Sequence, residues 1–292
     1  MACICFLRLS MTFLLVHSSY AIPERPRKIR GQDTAELMKE IKDLQHSQKV
    51  LQEEIANLRR SMIAVEEMVT SSLPEDCSVS RARGSWASTA YVKPPGLSPR
   101  RVKCDQLDSG GGWTVMLARQ YSQHPVDFNA TWQQYKEGFG DITGEFWIGN
   151  EVLHALTKEV PHQLRALLTD WDGNLKTATW KYFKVGSEGD GYRLGVGDYQ
   201  KGNEGSEAGD ALRHHNNHTF STHDRDGDAD ENHCARLHGG GWWYFRCYTA
   251  NPTGKALLSH EEHVAGMIWR PIDTKKSLKS ITMMIRPILA RN

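Results

Sequence analysis

The sequence predicts an α+β globular domain set behind a helical stalk. Three observations lead there. A heptad of apolar residues, interrupted only by Gln48, runs from residue 37 to 69. After Pro74 the texture changes to short strand-like runs rich in glycine and tryptophan. Four cysteines, an even number, remain once an N-terminal leader is set aside.

The leader comes first. Arg8 stands beside the apolar run Phe13-Leu14-Leu15-Val16, and Ser19-Tyr20-Ala21 puts small residues at the −3 and −1 positions of a cut after Ala21. Residues 1–21 therefore read as a signal peptide of a secreted, extracellular protein. The apolar stretch is shorter than the roughly 20 residues a bilayer span needs, and no later segment is long enough, so no membrane span is expected. Residues 22–32 form a linker containing the basic run Arg25-Pro26-Arg27-Lys28-Ile29-Arg30. Across the whole sequence, 36 basic side chains face 35 acidic ones. A nucleic-acid binder would gather a basic excess, and none is present.

Residues 33–73 predict a coiled coil. Ile41, Gln48, Ile55, Met62 and Val69 take the a positions, and Leu37, Leu44, Leu51, Leu58 and Val65 the d positions. Asp33 or Thr34 can cap the start, and Pro74 ends the helix. Glu54 at g and Arg59 at the following e can pair between protomers, so a homo-oligomer through this segment is expected.

Residues 74–292 carry the globular domain. Trp113-Thr-Val-Met-Leu and Ser280-Ile-Thr-Met-Met-Ile read as strands, and segments from Trp132 and from Gly149 as short helices. Helix and strand mix without βαβ alternation. Gly110-Gly-Gly-Trp is a strand lead-in requiring positive φ, since no phosphate-binding frame surrounds it. Cys3 and Cys5 leave with the leader, and Cys77, Cys104, Cys234 and Cys247 remain. Four cysteines allow three pairings, and spacing does not choose among them. Pairing of neighbours would close two modest loops, each stabilising by roughly 3 kcal/mol on the loop-closure account.

The segment Tyr135-Lys-Glu-Gly-Phe-Gly-Asp-Ile-Thr-Gly-Glu-Phe-Trp-Ile-Gly-Asn150 resembles the hallmark of the fibrinogen C-terminal domain family. Gly110-Gly-Gly-Trp-Thr-Val115, His215-Asn216, Phe220-Ser-Thr222, Gly241-Trp-Trp-Tyr244 and Met284-Ile-Arg-Pro287 match it in the same order. The stalk-plus-domain plan is similar to ficolins, tachylectins and angiopoietin-like proteins, without the collagen repeat of ficolins. The resemblance implies a central antiparallel sheet with a loop-rich C-terminal subdomain, and disulfides Cys77–Cys104 and Cys234–Cys247. It also implies one calcium ion and recognition through the C-terminal loops.

Asp224-Arg-Asp226-Gly-Asp228-Ala-Asp230-Glu-Asn232 places a carboxylate at every second residue, and alternate residues can turn oxygens toward one hard cation. An acidic solvated turn would read the same way. It is not an EF-hand, since the glycine at the sixth position and the glutamate at the twelfth are missing in either register. By resemblance Asp226 and Asp228 ligate Ca2+ with carboxylates, and Asp230 and Asn232 with backbone carbonyls. In lectin members of the family an acetyl group sits beside the second disulfide, where a cis bond before the first cysteine, here His233–Cys234, turns N–H groups toward it. The pocket positions fall on His233, Cys234, His238, Tyr248, His263 and Val264. The family expects an aromatic at His238 and His263, histidine at Tyr248 and alanine at Val264, so the pocket is rewritten. Trp242 and Trp243 lie nearby in sequence. The acidic residue with which fibrinogen holds a peptide amine falls on Ala265, which argues against capture of such peptides.

The histidines at 214, 215, 218, 223, 233 and 238 form no His-Glu-x-x-His zinc motif, and no Gly-x-Ser-x-Gly nucleophile elbow occurs, so no enzyme is expected. Asn129-Ala-Thr131 and Asn217-His-Thr219 are glycosylation sequons. The function expected is that of a calcium-dependent lectin for acetylated glycans in innate immune recognition. The alternative is an angiopoietin-like signalling ligand for a cell-surface receptor, or a matrix or clotting component.

Overall fold

The computed structural model describes residues 31–258 and 263–288. The leader, its cut and the basic run at 25–30 lie outside the described residues. The protein divides into two compact units, Met1–Ala64 and Val65–Asn292.

Helix α1 spans Gly31–Ser71. It begins two residues before Asp33, so the expected cap at Asp33 or Thr34 is corrected: Gly31 and Gln32 are already helical, which puts both residues inside the helix. It ends where hydroxyls bond backward, Ser71 Oγ to the Met68 carbonyl and Ser72 Oγ to that of Val69. Such bonds compete with the helical ladder, and Pro74 follows. The a and d side chains are exposed, with Leu44 at 68% and Met62 at 72%.

The domain runs α2 (Cys77–Ala82), β1 (Thr89–Val92), β2 (Arg100–Asp105), β3 (Trp113–Gln120), α3 (Trp132–Glu137), β4 (Phe139–Gly140), β5 (Phe146–Trp147) and α4 (Asn150–Thr157). Then come β6 (His162–Thr169), β7 (Leu175–Val185), β8 (Leu194–Gln200), α5 (Cys234–His238), β9 (Ala250–Asn251), β10 (Ile268–Trp269) and β11 (Ser280–Pro287). The main sheet has the order β1-β2-β3-β11-β6-β7-β8, with the β4–β5 ribbon joined to β3. Its neighbours are antiparallel throughout. The last strand thus lies in the middle, with Met283 opposite Leu117 on one side and Ala166 on the other.

Local chemistry explains the elements. Asp76 caps α2 by accepting from the Ser78 and Val79 N–H groups. Thr131 and Gln134 form a reciprocal capping box at α3. Strand β6 alternates buried and half-buried residues along its length, whereas β3 is buried over seven of its eight, which marks a strand covered on both faces. Gly111 has φ +74, and a Cβ there would stand 2.2 Å from the Gln106 carbonyl oxygen, so the lead-in to β3 admits only glycine.

Trp147 occupies the centre of the core. Its ring lies 5.7 Å from that of Tyr135, 6.0 Å from Phe220 and Trp243, and 6.4 Å from Trp242, within the range of favourable aromatic pairs. The ribbon, α3 and the segment after β8 are thereby joined. Trp242 and Trp243, which lie near the pocket positions in sequence, are buried, and their ring area is spent inside.

Between β8 and β11 regular pairing almost disappears, leaving α5 and the two-residue pair β9–β10. Side chains hold this subdomain instead. Arg119, on β3, pairs with Glu145 at 2.9 Å, with both groups buried, and donates to the Gly254 carbonyl at 2.8 Å. Glu145 in turn accepts from the Gln120 and Val126 N–H groups.

Candidate functional site

Two disulfides pin the domain. Cys77 and Cys104 tie α2 to β2, and Cys234 and Cys247 tie the start of α5 to the segment before β9. The loops to which the resemblance assigns recognition include this second disulfide. The cis peptide bond lies at Arg246–Cys247, which corrects the expected position His233–Cys234. At His233 the backbone turns through the left-handed region instead, with φ 58.

Three bonds of one kind curl the acidic loop. The Asp226 carboxylate accepts from the Asp228 N–H (3.2 Å), Asp228 from Asp230 (3.0 Å) and Asp230 from Asn232 (2.9 Å). These are successive Asx turns, each carboxylate bonding the backbone two residues on. Asp224 stands apart: it accepts from the Thr222 hydroxyl and from the Trp132 N–H, and so serves the first turn of α3.

The Asp226 and Asp228 carboxylates and the His233 ring bring one ligand atom each to within 4.8 Å of one another. Burial, together with the neighbouring charge of Asp226, raises the Asp228 pKa. Among the described residues the carbonyls of Asp230 and Asn232 accept no hydrogen bond. Two converging carboxylates that repel each other, with two uncommitted carbonyls beside them, fit a hard divalent cation. The sulfurs of Cys234 and Cys247 near Asp230 are bonded to each other and supply no thiolate.

The six pocket positions divide. His233 turns to the acidic loop, and its Nδ1 is shut off from solvent without a partner among the described residues. The Cys234 N–H donates to Asp228 Oδ2 at 3.0 Å. His238, Tyr248 and Val264 meet: the Val264 carbonyl accepts from the Tyr248 hydroxyl and, at 3.2 Å, from His238 Nδ1, whose ring stands edge-on to Tyr248 at 4.7 Å. Burial raises the Tyr248 pKa and lowers that of His238. His263 is exposed and accepts from the Ala265 N–H. An acetyl oxygen needs free donors, and the Cys234 N–H, the His238 Nδ1 and the Tyr248 hydroxyl are all engaged internally. Leu237 (52% exposed) and Val264 (53%) turn apolar side chains to solvent, next in sequence to the exposed Arg236 and His263.

The most consequential residue of this region has no place in the pocket. His215 is fully buried. Its Nδ1 donates to the Trp243 carbonyl at 2.7 Å, and its Nε2 accepts from the Thr249 and Ala250 N–H groups at 3.2 and 3.0 Å. Burial lowers its pKa to about 3, so it stays neutral. Asn251 works alike, accepting from the Tyr244 hydroxyl at 2.8 Å and donating to the Gly266 carbonyl at 3.1 Å. In the sequence His215 stood out only in the motif His215-Asn216 and among the clustered histidines, and nothing pointed to Asn251. The sequon residues Asn129 and Asn217 are both exposed.

Residues 73–288 match the family described as fibrinogen beta and gamma chains, C-terminal globular domain. Over 219 residues the protein is 42% identical to angiopoietin-related protein 7 of Mus musculus, covering 73% of this sequence and 63% of that protein. Its Homo sapiens counterpart is 41% identical, with 73% and 61% covered. The sequence thus spans less than two thirds of the length of these relatives. Among solved structures, the fibrinogen-like globe domain of human ANGPTL6 is 37% identical, with a TM-score of 0.69 over 74% of this protein and 96% of that one. A lamprey fibrin D-dimer complexed with the peptide Gly-His-Arg-Pro-amide is 29% identical, with a TM-score of 0.65 over 89% and 93%.

Proposed function

The chain belongs to the fibrinogen C-terminal domain family, and from that premise we propose that it is a secreted, non-enzymatic ligand of angiopoietin-like type that docks a cell-surface receptor. The observation that carries this reading is the internal engagement of Cys234, His238 and Tyr248, with the apolar side chains of Leu237 and Val264 exposed. That arrangement suits a protein partner better than an acetamido sugar, whose carbonyl would find no free donor among those three. The likeness to angiopoietin-related proteins supports the receptor ligand over the glycan-binding lectin of innate immunity.

Calcium belongs to this proposal. Asp226 and Asp228 would hold the ion with carboxylates, and Asp230 and Asn232 with carbonyls. Bound there, it would neutralise the acidic loop and stiffen the segment leading into Cys234. The exposed heptad face of α1 would assemble several heads into one oligomer and raise avidity by as much as about 10² to 10⁴. Glycans on Asn129 and Asn217 would extend from exposed positions. Among the described residues no helix is long and apolar enough to cross a membrane.

Binding of the full-length protein to cultured cells tests the reading. Binding is expected to be saturable, abolished by protease treatment of the cells, indifferent to free N-acetylated sugar, and at least about tenfold weaker for Leu237→Asp or Val264→Asp. Retention on an N-acetylglucosamine resin with elution by the free sugar would restore the lectin.

A further inference from the structure

Away from the recognition loops, one guanidinium is only partly accounted for. Strand β2 points its residues alternately inward and outward: Val102 and Cys104 are buried, and Arg101 on the opposite phase is exposed. Arg100 stands in phase with Val102 and Cys104, where the period of two calls for an apolar side chain. Its Nε is shut off from solvent with no hydrogen-bond partner among the described residues. Burial holds its pKa below the usual arginine range, and no ion pair holds it among the described residues. Two other arginines of the sheet differ: Arg119 has Glu145 at 2.9 Å, and Arg165 has Asp108 at 3.0 Å. A half-buried guanidinium whose Nε has neither water nor a partner gains from an anion supplied from outside.

Arg100 and Arg101 line a cavity of about 210 Å³ whose other wall carries Phe139, Ile142 and Phe146. Ligand pockets for whole small molecules run to about 300–1,000 Å³. This one has room for a single functional group of something larger. A planar carboxylate matches the guanidinium fork, and the apolar wall suits a hydrophobic neighbour on the same ligand. Glu137 shares the lining, and Asp141 lies close enough to Arg101 to feel its charge. A run of sulfates along a glycan would bring several negative charges against these carboxylates, whereas an acidic side chain brings one.

We propose that the cavity at Arg100 is a second docking point, which receives an aspartate or glutamate side chain flanked by an apolar residue from a partner protein.

Calorimetric titration of the full-length protein tests this with N-acetyl-leucyl-glutamate methylamide, its glutamine counterpart and a sulfated heparin disaccharide. The glutamate peptide is expected to bind. Its glutamine counterpart, and the Arg100→Met variant with the glutamate peptide, should each bind about tenfold more weakly or less, as loss of a hydrogen bond to a charged group requires. Arg101→Gln should fall between. Without ligand, Arg100→Met should melt at or above the parent temperature. The proposal is overturned by equal affinity for the two peptides, by no glutamate binding at millimolar concentration, or by tighter binding of the disaccharide. A marked fall in melting temperature for Arg100→Met would also overturn it, because the guanidinium would then have a partner at home.

Discussion

The sheet and the loop-rich subdomain solve one problem by different means. In the sheet, backbone N–H and C=O groups pair with each other along ladders such as β6 against β7 and β11. The backbone does its own bonding, and side chains need only be apolar at alternate positions. Between β8 and β11 the backbone has few ladders, yet much of it is as deeply buried: Trp242, Ala250, Asn251 and Thr253 are fully inaccessible. Buried main-chain groups must be bonded somewhere, so individual polar side chains take over. His215, Tyr244, Asn251 and Arg119 each satisfy backbone or side-chain groups outside any ladder. The lesson is about tolerance. A ladder loses one rung when one residue changes, whereas a polar linchpin loses several bonds together.

Arg119→Ala should break that contrast most forcefully. It sits on a sheet strand but serves the loops, and its removal leaves Glu145 charged and buried. Loss of one member of a buried pair costs about 3–5 kcal/mol. Denaturant unfolding should show that loss, and Leu167→Ala, a half-buried position elsewhere in the sheet, should cost less.

His215→Ala comes next. It strands the Trp243 carbonyl and two N–H groups, at about 1–3 kcal/mol for a buried group left unsatisfied. The parent should also show an acid signature. The His215 pKa is about 3 folded against an ordinary 6.5, so the unfolded state takes up the proton first. Its contribution is complete above pH 6.5 and fades as pH falls from there toward 3, at about 1.4 kcal/mol per pH unit. In His215→Ala, melting temperature should decline less steeply across that window.

Chelation should follow. A cation at one hundred times its dissociation constant stabilises by about 2.7 kcal/mol, and chelator should lower melting temperature and cell binding together. Hydrogen exchange should place the loosening at residues 226–251 and not in β3 or β6. Asp228→Asn should erase the difference made by chelator. Equal protection of the loop with and without calcium would remove the ion from the comparison.

The smallest effect on the domain should come from the stalk. Leu51→Asp is expected to dissociate the oligomer in sedimentation while leaving the domain's melting unchanged within about 0.5 kcal/mol, as for an exposed position.

These regions also differ in how far residues announce themselves. Strands at Trp113 and Ser280, helices at Trp132 and Asn150, and the heptad of α1 follow from periodicity and local capping, both of which are short-range. So does the alternation of Asp226, Asp228 and Asp230. The Arg119–Glu145 pair and the His215 hub follow from neither. Their partners stand 26 to 135 residues away, and no local pattern distinguishes them from surface polar residues. The pocket shows the same limit in reverse: its positions could be assigned, but whether their donors were available could not.

The order of residues by itself determined the long helix, the strands at Trp113 and Ser280, the family and the acidic loop, because hydrophobic period, glycine conformation and alternating carboxylates are properties of neighbours in sequence. Tertiary structure alone decided that Cys234, His238 and Tyr248 bond inward, that Arg100 lines a cavity with its Nε unpartnered, and that His215 holds the loops together. Those outcomes depend on which group wins each donor when distant segments are brought together, and that competition exists only in three dimensions.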